Sequence, residues 1–269
     1  MDREEVMNSH RMRDGRKVPG DLVEGIEHVL TLLYADDLAV MADNAESLRR
    51  VVSIFERITQ ECGLTISVSK TKQLITLVDP KKPKERLPDV DLTIRGEKVE
   101  RVKDFVYLGS MISEAGGSMK DMNRKISQAT YRFSKLESVW KQSAISLKTK
   151  THIYRVTVMS TLLYGAESWT CTENDYNKVN TFHTTKKLRR LAGKRRNEIS
   201  NNELFKLTGM KPLESYIRYH RLRWAGRVRR MTDDRLPKKV LFGQVIGGRP
   251  KEEDRNTTGC IPLSKTVNM

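Results

Sequence analysis

The stretch Val29-Leu30-Thr31-Leu32-Leu33-Tyr34-Ala35-Asp36-Asp37-Leu38-Ala39-Val40-Met41-Ala42 decides how the rest of the chain is read. Two short apolar runs flank Tyr-Ala-Asp-Asp, a pattern that predicts a buried strand, a tight turn and a second strand. Adjacent acids at the tip of an apolar hairpin are costly unless they face water or bind something. Hard divalent cations take one or two carboxylates plus phosphate oxygens, and two such ions can clamp an in-line phosphoryl displacement. An ordinary solvated Asp-Asp turn is the competing reading, because Asp is a favoured turn residue.

Working outward, Asp43 stands three residues before Glu46, a capping-box spacing. It opens a predicted helix with Leu48, Val51, Val52, Phe55, Ile58 and Cys62 on one stripe and Gly63 as its stop. Short β-like runs follow at Leu64–Val68, Gln73–Val78, Asp91–Ile94 and Val99–Val102, with Arg95-Gly96-Glu97 as a hairpin turn and Phe105–Ile112 as a further strand. After Gly117 the period becomes helical. Met122, Ile126, Ala129, Phe133, Leu136 and Trp140 make one stripe. Further helices are expected over about Leu147–Tyr164, Glu173–Leu191, Asn202–Leu207 and Leu213–Met231. The last has an apolar stripe of Leu213, Ile217, His220, Trp224, Val228 and Met231. Residues 1–28 read as irregular and 244–269 as a disordered tail.

Charge is distributed unevenly. The 269 residues carry a formal +16, yet between Lys178 and Lys239 there are 19 basic and 5 acidic residues. A near-neutral module thus precedes a basic one, which points to a polyanionic partner, most simply nucleic acid. Lys186, Lys187, Arg189, Arg190, Lys194, Arg195 and Arg196 form one cluster, and Arg218, Arg221, Arg223, Arg227, Arg229 and Arg230 occupy mostly the polar faces of the last helix. Guanidinium forks suit phosphate oxygens, and Tyr216, Tyr219 and Trp224 could stack on unpaired bases, with helix–helix core as the favoured role for Trp224. A solvated basic face without a partner is the bland alternative. Composition excludes several classes. No apolar run approaches the ~20 residues of a spanning helix. Cys62, Cys171 and Cys260 form no Cys-x-x-Cys, which argues against a zinc ribbon or a disulfide scaffold. Met1-Asp2-Arg3-Glu4-Glu5 is too charged for a signal peptide, so an intracellular location, nuclear or cytoplasmic, is expected. His152, His183 and His220 are too scattered for a ligand set, and His220 reads as a core residue.

Several of these segments together resemble a known family. Tyr34-Ala35-Asp36-Asp37 looks like motif C of reverse transcriptases. Gly63-Leu64-Thr65-Ile66 and Ser69-Lys70-Thr71-Lys72 resemble motif D, and Phe105-Val106-Tyr107-Leu108-Gly109 resembles the motif E primer-grip hairpin. Leu162 to Trp169, Arg221 to Val228, Arg235-Leu236-Pro237-Lys238 and Gly248-Arg249-Pro250-Lys251 look like the C-terminal region of non-LTR (LINE-type) retrotransposon polyproteins, the endonuclease-reverse transcriptases. The resemblance runs from about Leu30 to Lys251. It implies an α+β fold: a partial palm over 29–113, a small antiparallel sheet with a helix, then a helical thumb over 114–170 and a basic helical region over 171–243. It implies that Asp36 is the principal metal-binding carboxylate and Asp37 its companion, with Mg²⁺ or Mn²⁺ as the ion. Tyr34 would lie near the primer terminus or the incoming nucleotide. Lys70 would be a proton donor to pyrophosphate, with Lys72 as second choice, and Tyr107, Leu108 and Gly109 would position the primer strand. RNA and DNA would be the partners.

The departures from the family bear on activity. Asp2, Asp14 and Asp21 lack the apolar strand context of motif A, so residues 1–33 supply neither its Asp nor motif B. The expectation is a C-terminal part whose two-metal site is incomplete and which holds no ion tightly by itself. The missing motif A strand would leave an apolar sheet edge open. Arg227 stands where family members often have His, and Lys187 where they often have Cys. Three readings stay open: a polymerase part completed by another chain or an upstream segment, a non-catalytic nucleic-acid-binding remnant, and a relic reading frame.

Overall fold

A computed structural model describes residues 31–42, 44–76 and 90–242. The expectations for residues 1–28 and 244–269, and for Asp43 as a helix cap, lie outside them. The fold is mixed α and β, and its contacts form two compact units. Among described residues the first holds those up to Gln73, residues 90–102 and residues 228–242; the second holds 74–76 and 103–227.

In the first unit β1 (Thr31–Tyr34) pairs antiparallel with β2 (Asp37–Val40), Tyr34 opposite Asp37. The expected hairpin forms, but its strands are not buried. Leu33 is 72 % exposed and Tyr34 65 %. Helix α1 (Ala45–Glu61) follows, capped by Asn44, whose side chain accepts from the Ser47 N–H at 2.8 Å. Its C-terminus closes on Gly63 at φ 70°, with the Gly63 N–H donating to Gln60 O and the Leu64 N–H to Thr59 O. This double bond pattern needs the left-handed residue that glycine supplies.

Leu64–Val68 is not a strand. The Lys70 N–H, the Thr71 N–H and the Thr71 hydroxyl all donate to Ser67 O, a local turn that competes with ladder pairing. Ile66 and Val68 instead pack, with Leu48 and Val52 of α1, against a small core of Leu92, Ile94 and Val99. Around it β3 (Lys72–Gln73) runs parallel to β6 (Glu100–Arg101). Between them in sequence, β4 (Thr93–Ile94) and β5 (Glu97–Lys98) make the expected hairpin about Arg95-Gly96. A further helix, α10 (Leu236–Phe242), lies where the sequence pattern predicts none. Pro237 lies in its first turn, where a missing N–H costs nothing.

In the second unit the expected single strand Phe105–Ile112 is a hairpin, β7 (Asp104–Tyr107) against β8 (Ser110–Ser113). Its turn, Leu108-Gly109, has φ of 46° and 82°. Two consecutive left-handed residues match the right-handed twist of the strands, and the glycine relieves half the cost. The long helix predicted through Trp140 breaks at Leu136 into α2 (Met119–Lys135) and α3 (Glu137–Lys141), and the Trp140 indole N–H donates to the Phe133 carbonyl at 2.8 Å. α4 (Leu147–Tyr154) continues through a π-helical stretch, Arg155–Met159, into α5 (Ser160–Leu162). α6 (Glu173–Asn180) continues through another, Thr181–Leu188, into α7 (Arg189–Ala192). Thr172 and Ser200 cap α6 and α8 (Asn201–Thr208) with reciprocal boxes to Asp175 and Glu203. The core is built from residues such as Met122, Phe133, Tyr154, Leu162, Leu188, Leu204 and Ile217.

The core histidine is His183, not His220, which is half-buried. His183 Nε2 faces the Lys211 carbonyl at 3.1 Å, so that nitrogen carries the proton. Nδ1 therefore accepts from the Tyr154 hydroxyl at 3.0 Å. Burial holds this imidazole neutral and pushes its pKa down to about 4.

Helix α9 (Leu213–Arg229) packs along an i, i+4 row of Leu213, Ile217, Arg221 and Ala225, with Val228 also buried. The expected stripe through His220 and Trp224 is thus rotated by about one residue. Trp224 is 38 % exposed, so it is not helix–helix core. Tyr216 does take the core role, edge-on to the His183 ring with centroids 6.4 Å apart.

Candidate nucleic-acid interface

The acidic pair sits on a two-residue turn. Tyr34 and Asp37 face each other across the last rung, which leaves Ala35 and Asp36 as the loop, and Ala35 takes φ 53°. A non-glycine residue in that region costs about 1 kcal/mol, and such outliers cluster at functional sites. Tyr34, Asp36 and Asp37 are all exposed. Two adjacent carboxylates are a partial donor set for a hard cation. Among the described residues no group of three His, Cys, Asp or Glu is placed to hold a metal ion.

Lys70 is exposed on the turn after α1. Among the described residues no hydrogen bond or ion pair links it to Asp36 or Asp37. Lys72 is engaged elsewhere, its Nζ 2.5 Å from Glu100 Oε2 and 2.9 Å from Ser69 O.

The second hairpin is held in place by its surroundings. Lys125 Nζ donates to Gly109 O at 2.7 Å, Arg124 Nη1 to the same oxygen at 3.2 Å, and the Tyr164 hydroxyl to Leu108 O at 3.2 Å. Lys125 is 3 % exposed, lies 4.7 Å from the Tyr164 ring centroid, and has its pKa lowered by burial. Asp121, also buried, accepts from the Met111 N–H and from the Trp169 indole N–H, both at 2.8 Å. At the hairpin's base Lys120 reaches Asp104 at 2.6 Å, and this bond holds the Asp104 carboxyl below its usual range. Tyr107 and Gly109 are half-buried and Leu108 is exposed. None of Asp121, Arg124, Lys125 or Tyr164 stood out as a site residue in the sequence. The available signal was that Tyr107-Leu108-Gly109 and Leu163-Tyr164-Gly165 each place a glycine beside a large apolar or aromatic residue. They turn out to be packing partners.

The basic region divides into structural and open cations. Lys187 is buried over the rings of Phe133 and Phe182, at 4.7 and 5.3 Å. Arg189 is buried and donates to the carbonyls of Arg195 and Ile199, both at 3.0 Å, and to Asn201 Oδ1 at 2.7 Å. Arg221 donates to the Tyr176 hydroxyl at 2.9 Å and to the Trp169 carbonyl. These three are fold residues rather than free phosphate ligands. The Arg189 and Arg221 forks satisfy backbone carbonyls, and the Lys187 stem and ammonium cover two aromatic rings. Arg190 pairs with Glu137 at 2.5 Å, Arg218 with Glu214 at 3.0 Å and Lys194 with Glu198 at 3.8 Å. Lys186, Arg195, Arg196, Arg223, Arg227, Arg229 and Arg230 are exposed. Tyr219 and Trp224 are exposed on α9 beside these arginines.

Residues 16–112 match the reverse transcriptase (RNA-dependent DNA polymerase) family. The matched span takes in Tyr34, Asp36, Asp37, Lys70, Tyr107, Leu108 and Gly109. It stops at β8, so the helices from Met119 onward lie beyond it. The chain is also 24 % identical over 214 residues to a transposon-derived protein of Caenorhabditis elegans, covering 77 % of this chain and 74 % of that one. No solved structure matches. The matched span takes in the Ala35-Asp36 and Leu108-Gly109 hairpin turns, and a template-primer of RNA and DNA is the partner class that a reverse transcriptase domain implies. Among the described residues no helix is long and apolar enough to cross a membrane.

Proposed function

We propose that the chain is the C-terminal part of an RNA-directed DNA polymerase of a non-LTR retrotransposon, with residues 29–113 as partial palm, 114–170 as thumb and 171–243 as a basic nucleic-acid-binding region. The observation that carries this reading is Tyr34-Ala35-Asp36-Asp37 on the tip of an exposed hairpin inside the reverse-transcriptase match. In it Asp36 and Asp37 are two of the carboxylates for Mg²⁺ or Mn²⁺. When bound, the ions stabilise the charge of nucleotidyl transfer. Tyr34 lies near the primer terminus and Lys70 serves as proton donor. Nucleotidyl transfer then requires a further carboxylate, from an upstream segment or from a second chain that completes the palm.

Primer extension on an RNA template with Mg²⁺ or Mn²⁺ tests this. The chain alone is expected to give no product. Supplied with a segment bearing the motif A carboxylate, it is expected to extend, and Asp36→Asn to abolish extension. Extension by residues 1–269 alone that disappears in Asp36→Asn would overturn the incompleteness. Extension by the complemented protein that survives Asp36→Asn would overturn the role of Asp36.

Nucleic-acid binding without chemistry is a second reading, favoured by the open cations Lys186, Arg195, Arg196, Arg223 and Arg227. Backbone-led binding predicts affinity that falls steeply with salt, each phosphate contact adding roughly 0.7–0.9 to the log–log slope. Affinity that is flat with salt, or unchanged when 178–240 is removed, contradicts it.

A further inference from the structure

Tyr164 is a large aromatic fixed against the Leu108-Gly109 turn. Its hydroxyl donates to Leu108 O at 3.2 Å, and Lys125 Nζ sits 4.7 Å from the ring centroid. The ring edge occupies the space above Gly109, where a Cβ would lie 2.9 Å from Cε1. A side chain held this firmly is normally core, yet Tyr164 remains 57 % exposed. Leu108 and Val106, on the same hairpin, are also exposed, and Arg124 is half-buried beside the turn.

We propose that Tyr164 is a further strand-binding residue, a stacking platform for a nucleotide of the primer-template, and that Lys125 is the positioning residue that presents it. The inference rests on the reading of the 104–113 hairpin as the element along which the primer strand runs. Three points support it. An aromatic ring already fixed in one orientation loses little freedom on stacking. The buried ammonium on the ring and the neighbouring guanidinium make the locality positive, which suits a phosphodiester strand and not an apolar peptide. Gly109 lets the ring edge seat against the turn, where a side chain would displace it. Lys125 is almost fully buried and spends its donor on Gly109 O, so its part is to fix the turn and the ring rather than to touch the strand.

The test uses the full chain with a recessed primer-template carrying 2-aminopurine or a photoreactive base at the primer end, read by quenching and by mapped cross-links, with thermal melts alongside. Tyr164→Leu is expected to weaken binding roughly 5- to 160-fold, the range for losing one base stack. Tyr164→Phe loses the bond to Leu108 O and keeps the ring, so its affinity stays within about threefold of wild type. Lys125→Met is expected to lower the cross-link yield at Tyr164 while cross-links to α9 persist. A structural role alone would move stability and binding together across all three variants, and that pattern overturns the proposal. Wild-type cross-links in 104–113 with Tyr164→Leu binding as wild type overturn the inference alone. Wild-type cross-links that avoid 104–113 altogether, or absence of binding, overturn the hairpin reading and the inference with it.

Discussion

Two β-hairpins among the described residues have four-residue strands and a two-residue loop whose first residue is left-handed, and they are supported in different ways. Among the described residues the 31–40 hairpin is hydrogen-bonded through its own ladder and leaves Leu33 and Tyr34 open. The 104–113 hairpin has its loop carbonyls taken by Lys125, Arg124 and Tyr164, one strand amide by Asp121, and its base by Lys120. The difference teaches where precision is stored. A two-residue turn sets local register in both, but only buried charge-assisted bonds fix a hairpin against its unit.

The largest expected effect separates these cases directly. Asp121→Ala strands the Met111 amide and the Trp169 indole and removes the carboxylate beside buried Lys125, at a cost of about 4 kcal/mol by urea unfolding. No single side chain in 31–40 is expected to cost a comparable amount, and one that did would break the contrast.

Next is the helical body that carries the clamp. The folded His183 pKa of about 4 lies below the ordinary 6.5. The unfolded chain therefore binds this proton first. Stability present above pH 6.5 is lost as pH falls toward 4, by about 3 kcal/mol in total. The urea-derived difference between wild type and His183→Gln should shrink by about 2–3 kcal/mol between pH 7 and 4.5. A difference constant with pH would mean that the imidazole charges freely in the fold.

Gly109→Ala is expected to cost about 2 kcal/mol, since it meets a φ of 82° and the Tyr164 ring at once. The smallest effect sharpens the other side. Leu33→Ser should change stability by under about 0.5 kcal/mol and reduce self-association seen by light scattering, because the residue is open and apolar.

Much of this is legible in the sequence. The Tyr-Ala-Asp-Asp turn, the Arg95-Gly96 hairpin, the stop at Gly63 and most helices follow from apolar period and glycine placement, which are local signals. What escaped was the pairing between distant segments. Nothing in Lys125 taken by itself distinguishes a solvated helix lysine from a buried one, because its partner carbonyl is 16 residues away. The arginines misled for a related reason. Arg189 and Arg221 have the composition of a phosphate surface, yet their forks close on backbone carbonyls that only the packed helices bring near. The rotated stripe on α9 has the same origin, since Arg221 fills a core row once Trp169 and Tyr176 can accept from it.

The meeting of the second hairpin with the end of α5 also has a consequence for heredity. A Cβ at Gly109 would strike Tyr164, and one at Gly165 would come within 2.7 Å of Ser110 Oγ. Each segment thus presents a glycine to the other's side chain, like two teeth and two gaps. Across relatives, position 109 should change only in company with 164, and 165 only in company with 110. These two segments should therefore drift as one inherited unit, although some fifty residues of chain separate them.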